Sequence, residues 1–113
     1  MGDEVVADWI ATDAYAGSPG PMCGGILTTL MDCHATATAA KTLMDRDGLS
    51  ETPAIVCRDL SVRFRRPAPT QGGLHLVGKV ARFGDKGPIV EVTISTDDEV
   101  CARFEGTFVN LSA

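Results

Sequence analysis

The chain has 113 residues, a mass of 11.9 kDa, 44% hydrophobic and 22% charged residues, the proportions of one ordinary globular domain spanning residues 1–113, which excludes a two-domain enzyme and a disordered or fibrous chain. No run approaches the roughly 20 apolar residues of a membrane span. A net charge of −5 and a pI near 4.8 argue against a general nucleic-acid binder, whose phosphate contacts need surplus Lys and Arg.

The first stretch carries Asp3, Glu4, Asp8 and Asp13 rather than a basic and then apolar secretory signal, so a soluble cytoplasmic protein is expected. Residues 4–12 (EVVADWIAT) are β-branched and aromatic enough for a first strand, and the Pro- and Gly-rich AGSPGPM that follows is a loop. Over residues 24–44 the period changes. Ile26, Leu30, Cys33, Ala37, Ala40 and Met44 recur at steps of four and three, the apolar seam of an amphipathic helix, which residues 45–52 with Gly48 close.

Four strand-like runs follow, at 54–66, 73–83, 88–96 and 99–111. Alternation puts Val56, Leu60, Val62 and Phe64 on one face of the first run and Asp59, Ser61, Arg63 and Arg65 on the other. In the last run Val100, Ala102, Phe104 and Phe108 share a face. The short turns at 84–87 and 97–98 favour hairpins and hence a mostly antiparallel sheet. Five strands about 4.8 Å apart make a sheet about 24 Å wide, which one helix about 10 Å across cannot cover while the sheet is flat. The expectation is an α+β fold whose sheet curls around the helix, with leftover apolar surface hidden by a second copy.

Cys23, Cys33, Cys57 and Cys101 form no C-x-x-C pair and are expected to be reduced thiols. A zinc site from Cys23, Cys33 and His34 would match no familiar ligand spacing, so no metal is expected. Between Arg58 and Lys86 lie seven basic residues against only Asp59 and Asp85. An acidic protein thus keeps one basic stretch, which reads either as solvated strand ends or as a site for a small polyanion.

The helix start is the place for chemistry. Gly24 and Gly25 would let backbone and ligand approach closely, and their unsatisfied N–H groups, helped by the helix dipole, would form an oxyanion site. Thr28, Asp32 and Thr36 lie at steps of four and form a polar stripe beside the seam. Asp32 facing a cleft would act as general base or nucleophile, with Thr36 orienting the carboxylate or a water. The competing reading makes Asp32 a solvent-facing acid bonded to Thr28. Cys23 reads as a small turn residue or, at a helix N-terminus, as a thiol whose thiolate is favoured. His34, about 200° round the helix from Asp32, and His75 read as packing or surface residues.

The run Cys23-Gly24-Gly25-Ile26-Leu27, the acid nine positions after Cys23, and the later Leu60-Ser61-Val62-Arg63-Phe64-Arg65-Arg66-Pro67-Ala68-Pro69 together resemble the hotdog-fold acyl-CoA thioesterases of the phenylacetyl-CoA and 4-hydroxybenzoyl-CoA thioesterase type. The resemblance extends over nearly the whole chain. It implies a five-stranded antiparallel sheet curled around one long central helix, a homodimer or homotetramer, and hydrolysis of an acyl-CoA to free acid and CoA. It also implies a catalytic role for Asp32 and, as in the 4-hydroxybenzoyl-CoA branch, a part for Thr36. The family's turn opens with His where this chain has Cys23. Some members place Asn about six residues earlier, where this chain has Gly17 followed by Ser18, so Cys23 and Ser18 stand in the substrate-positioning places. Arg63, Arg65 and Arg66 would meet the CoA phosphates, although alternation sets Arg66 on the opposite face from the other two. CoA is then part of the substrate, and no separate cofactor is implied. The missing His leaves open a non-catalytic acyl-CoA binding protein. The hydratase branch of the fold, which needs a His paired with the acid, ranks last.

Overall fold

The computed structural model describes residues 4–11, 24–66, 72–97 and 99–111. Its elements run β1 (Glu4–Ala11), α1 (Gly24–Asp47), β2 (Ile55–Phe64), β3 (Gly72–Phe83), β4 (Pro88–Thr96) and β5 (Glu99–Asn110). The strands form one sheet in the order β1-β3-β4-β5-β2, every neighbouring pair antiparallel. The tight turns make hairpins of β3–β4 and β4–β5. Strands β1 and β2 flank the helix in sequence yet occupy opposite edges, so α1 carries the chain across the whole sheet and packs on its inner face.

The helix ends where the backbone turns left-handed. Gly48 has φ 66°, and the Leu49 N–H donates to the Met44 carbonyl at 3.0 Å, a glycine-dependent C-cap. The Arg46 guanidinium lies 4.4 Å from the centre of the Phe83 ring, fastening the last turn to β3.

The buried face of α1 is not the seam expected from sequence. Leu27, Met31, Ala35, Thr38, Ala39, Ala40 and Leu43 are buried, whereas Cys33 and Ala37 are exposed and Ile26, Leu30 and Met44 are only partly covered. Small and apolar residues surround this helix on nearly every side, so two neighbouring stripes carried similar signals, and contact with the sheet selects between them. The side of α1 that meets β3 does so closely. A Cβ at Gly78 would lie 2.4 Å from the Thr38 hydroxyl oxygen. That buried hydroxyl donates to the His34 carbonyl at 2.8 Å, and His34 Nε2 lies 2.8 Å from the Val5 carbonyl of β1. The helix is thereby tied to the edge of the sheet.

The core beneath α1 is built by Leu74 and Leu76 of β3, Val90, Val92 and Ile94 of β4, and Ala102, Phe104 and Phe108 of β5. The alternation expected for β5 places these rings correctly, and the two Phe centroids are 6.4 Å apart, but it fails for Val100. The register shifts between Ile94 and Ser95, leaving Cys101 as the extra residue of β5, so Val100 pairs with Ser95 on the other face and Cys101 joins the core. In β2 the expected alternation fails at one end. The register slips between Cys57 and Asp59, so Arg58 is an extra residue and the faces exchange there. Ile55, Cys57 and Val62 pack against the core, while Val56 lies on the other face and is exposed.

Candidate active site

The first residue of α1 lies beneath the end of β2. A Cβ on Gly24 would sit 3.2 Å from the Phe64 ring, so glycine is the residue that lets strand and helix meet there without displacement. The Thr28 and Thr29 hydroxyls donate to the Gly24 and Gly25 carbonyls at 2.8 and 2.9 Å. The amide hydrogens of the same glycines point the other way and precede the helical hydrogen-bond ladder. The first turn holds no acidic residue, so the positive end of the helix dipole is not neutralised from within it.

Two turns further on, Asp32 is half-buried. Its Oδ1 is buried and accepts no hydrogen bond among the described residues. The Thr28 hydroxyl is committed to Gly24, so an Asp32 held by Thr28 does not describe this site. The Thr36 hydroxyl donates to the main-chain carbonyl of Asp32 at 2.9 Å; its proton serves the helix backbone, and only its lone pairs are left for a water or substrate group. A buried carboxylate oxygen without a donor is costly and open to a hydrogen bond from an incoming molecule.

Cys57, to which sequence reasoning assigned no role, stands near this acid. Burial pushes its thiol up, and the negative charges of Asp32 and then Asp59 add to the effect. The S–H also donates to the Asp59 carbonyl at 3.3 Å. The Arg58 bulge determines this placement, since it lets Cys57 face the helix while Asp59 does not. A β-bulge leaves little trace in hydrophobic alternation, and that is why the residue was overlooked.

The remaining candidates divide. Asp32 lies eight positions after Gly24, about 12 Å along the helix axis, too far for one acyl carbonyl to touch both groups of a single chain. Arg63 lies on the outer face of the sheet opposite Arg103. The backbone N–H groups of Arg65 and Arg66 donate to the Cys101 carbonyl at 2.8 and 3.2 Å, and the Arg66 side chain is ion-paired with Glu99. The three arginines are therefore not equivalent. Cys23 and Ser18 lie outside the described residues. His75 pairs through Nδ1 with Asp8 at 2.8 Å, a cross-strand link between β3 and β1, and His34 has the packing role described above.

A sheet curled around a helix that starts on two glycines, with an unsatisfied acid two turns along, has the architecture of the hotdog thioesterases. The chain belongs to the thioesterase superfamily, whose family model matches residues 20–102. It is similar to a solved thioesterase superfamily protein from Shewanella loihica, at 25% identity and a TM-score of 0.81, covering 98% of this chain and 86% of that one. A phenylacetic acid degradation-related protein from Ralstonia eutropha is similar at 24% identity and a TM-score of 0.76, covering 93% and 74%. A Streptococcus mutans protein solved bound to acetyl CoA shares the fold at 17% identity and a TM-score of 0.82, covering 97% and 82%. No curated protein matches the chain. Among the described residues no helix is long and apolar enough to cross a membrane.

Proposed function

We propose that the protein hydrolyses an acyl-CoA thioester to the free acid and CoA, as a homodimer or a dimer of dimers in the cytoplasm. The observation that carries this reading is the buried, unpartnered Oδ1 of Asp32. The thioester carbonyl oxygen rests on the Gly24 and Gly25 amides, which strengthen their hydrogen bonds as negative charge develops on it. Asp32 either draws a proton from a water that attacks the carbonyl carbon or attacks that carbon itself. In the first case Asp32 passes that proton to the sulfur as the C–S bond breaks, releasing the acid and CoA as its thiol. In the second CoA leaves as a thiolate, and water hydrolyses the resulting acyl–aspartyl anhydride, freeing the acid, restoring the Asp32 carboxylate and supplying the proton that makes the thiol.

The separation of about 12 Å along α1 favours a site that pairs the amides of one protomer with the Asp32 of another, shared between two chains. Cys23 and Ser18, just before the helix, border the acyl group, and Thr36 offers lone pairs to the attacking water. Arg63 and Arg65 attract the CoA phosphates, with Arg66 held back by its ion pair with Glu99. Superfamily membership and an acetyl CoA complex of a protein with the same fold support the choice of ligand.

The test is a panel of acyl-CoA esters with a free-thiol reagent. Release well above background, reduced about 10²-fold or more in Asp32→Ala, is expected. Binding by calorimetry without release would instead select an acyl-CoA carrier, and an Asp32→Ala variant as active as wild type would remove Asp32 from the mechanism.

A further inference from the structure

On the outer face of the sheet, turned away from α1, the side chains lie in two successive rungs. In the strand order β1-β3-β4-β5-β2 the first reads Glu4, Lys79, Glu91, Glu105 and Ser61, and the second Val6, Val77, Thr93, Arg103 and Arg63. Each rung sets like charges directly opposite on neighbouring strands, Glu91 with Glu105 and Arg63 with Arg103, which destabilises a sheet. Among the described residues Glu91, Arg63 and Arg103 have no ion pair, and Glu105 has only the exposed Arg82 at 3.5 Å, a weak tie. The two rungs are nevertheless complements of each other. When two copies stack outer face to outer face about a two-fold axis that runs across the strands midway between the rungs, residues two apart on one strand exchange places. Arg103 then meets Glu105, Arg63 meets Ser61, Thr93 meets Glu91, Val77 meets Lys79 and Val6 meets Glu4. No like charges meet, and the Arg103–Glu105 match is made twice, as an isologous contact requires.

We propose that the outer face of the sheet binds the outer face of a second copy about this axis, so that two dimers pair back to back through Arg103 and Glu105. The face is large enough. Five strands make it about 24 Å wide and the nine residues of β4 about 30 Å long, roughly 700 Å² against the roughly 800 Å² that each partner gives to a standard interface. The two sheets lie about 10 Å apart, the ordinary spacing of stacked sheets. Because α1 and Asp32 are on the opposite face, the pairing leaves them uncovered. Arg63, on the edge strand and opposite a neutral hydroxyl, keeps its charge for the CoA phosphates. The proposal rests on the dimer-of-dimers reading for the number of chains and not on the acyl-CoA reading.

The test is the mass of the full chain by sedimentation at one protein concentration and at about 50 mM salt, where exposed charges are little screened. Wild type is expected at four chains. Arg103→Glu and Glu105→Arg each set like charges across the axis twice and are expected to halve that mass. The two substitutions together in one chain reverse the order of the charges and make the faces complementary again, so the double variant is expected to return to four chains, a rescue that loss of folding in the single variants would not produce. Wild type at two chains, a single variant that keeps the wild-type mass, or a double variant that stays at half of it overturns the proposal. Mass is read without substrate, so a lack of acyl-CoA turnover counts against the proposed hydrolysis alone and leaves this result standing.

Discussion

Phe64 at the end of β2 lies over Gly24 at the start of α1, with its ring carbon 3.2 Å from the position a Cβ would take. The ring is 55% exposed, so it yields to a methyl group without disturbing the core. Gly24→Ala is expected to unfold within about 1 kcal/mol of wild type. Its turnover of acyl-CoA should fall about tenfold, because the displaced ring alters the approach to the amides. Thermal unfolding beside steady-state kinetics checks both halves, and a variant with wild-type turnover would detach Phe64 and Gly24 from the substrate path.

A site shared between chains has a sharper signature. Gly24→Pro deletes one amide hydrogen at the first helical position, where proline is best tolerated, and Asp32→Asn deletes the base. Each variant alone should lose about 10²-fold or more. Refolded together, they form mixed dimers with one intact site, and activity should return to roughly a quarter of wild type for random pairing. Activity that stays at the level of the parents would place both groups within one chain.

The Asp32 carboxylate also reports on itself through Cys57. Burial first, and the Asp32 and Asp59 charges next, hold that thiol above its ordinary value of 9.0. Alkylation by iodoacetamide near pH 8 should therefore label the exposed Cys33 well before Cys57. Asp32→Asn removes one of the negative charges, lowers the Cys57 value and raises the thiolate fraction, so labelling of Cys57 should speed up. Peptide mapping over time reads this, and an unchanged rate would mean that the carboxylate does not act on the thiol.

Cys57 and Cys101 give the stability profile its alkaline limb. Cys57 is raised as described, and Cys101 is raised by its own burial and by Glu99, against a lowering by Arg66. A thiol that holds its proton more tightly when folded favours the fold below its unfolded value. That contribution is lost as pH rises through the raised folded value. Urea unfolding from pH 7 to pH 10.5 should thus show a declining midpoint above about pH 9, and Cys57→Ala should make the decline shallower.

Removing His34 should loosen an edge without touching the chemistry. Its Nε2 contact with the Val5 carbonyl at 2.8 Å joins α1 to β1, and His34→Ala leaves that carbonyl unpaired at a cost of about 1–3 kcal/mol. Amide exchange in β1 should accelerate, while turnover per folded molecule stays near wild type. A large loss of turnover at unchanged stability would give His34 a role beyond packing.

Much of the architecture was legible because the signals were local. The turns at 84–87 and 97–98 dictated hairpins, Ala102, Phe104 and Phe108 of β5 fell on one face as expected, and a glycine pair and Gly48 marked the two ends of α1. What could not be read depends on partners distant in sequence. The buried stripe of α1 lies one neighbour away from the expected one, since Leu27, Met31, Ala35 and Ala39 are scarcely more apolar than Ile26, Leu30 and Ala37. The Arg58 bulge, which reversed Val56 and turned Cys57 toward the acid, exists only through pairing with β5. The acid and the helix-start glycines were visible as residues. The missing donor at Asp32 Oδ1, the use of Thr36 on the backbone and the division of the arginines were not, because each depends on which atoms the fold brings within reach.

The strand order also dictates a sequence of events in time. Among the described residues β1 pairs only with β3, and Asp8 meets His75 across 67 positions of chain. During synthesis the first strand therefore emerges long before its neighbour exists, and it can join the sheet only after the helix and β2 have been made. The hairpins at the C-terminal end can zip up from nearby contacts, whereas both edge strands pair across long stretches of chain, β2 with β5 and, over the greater span, β1 with β3.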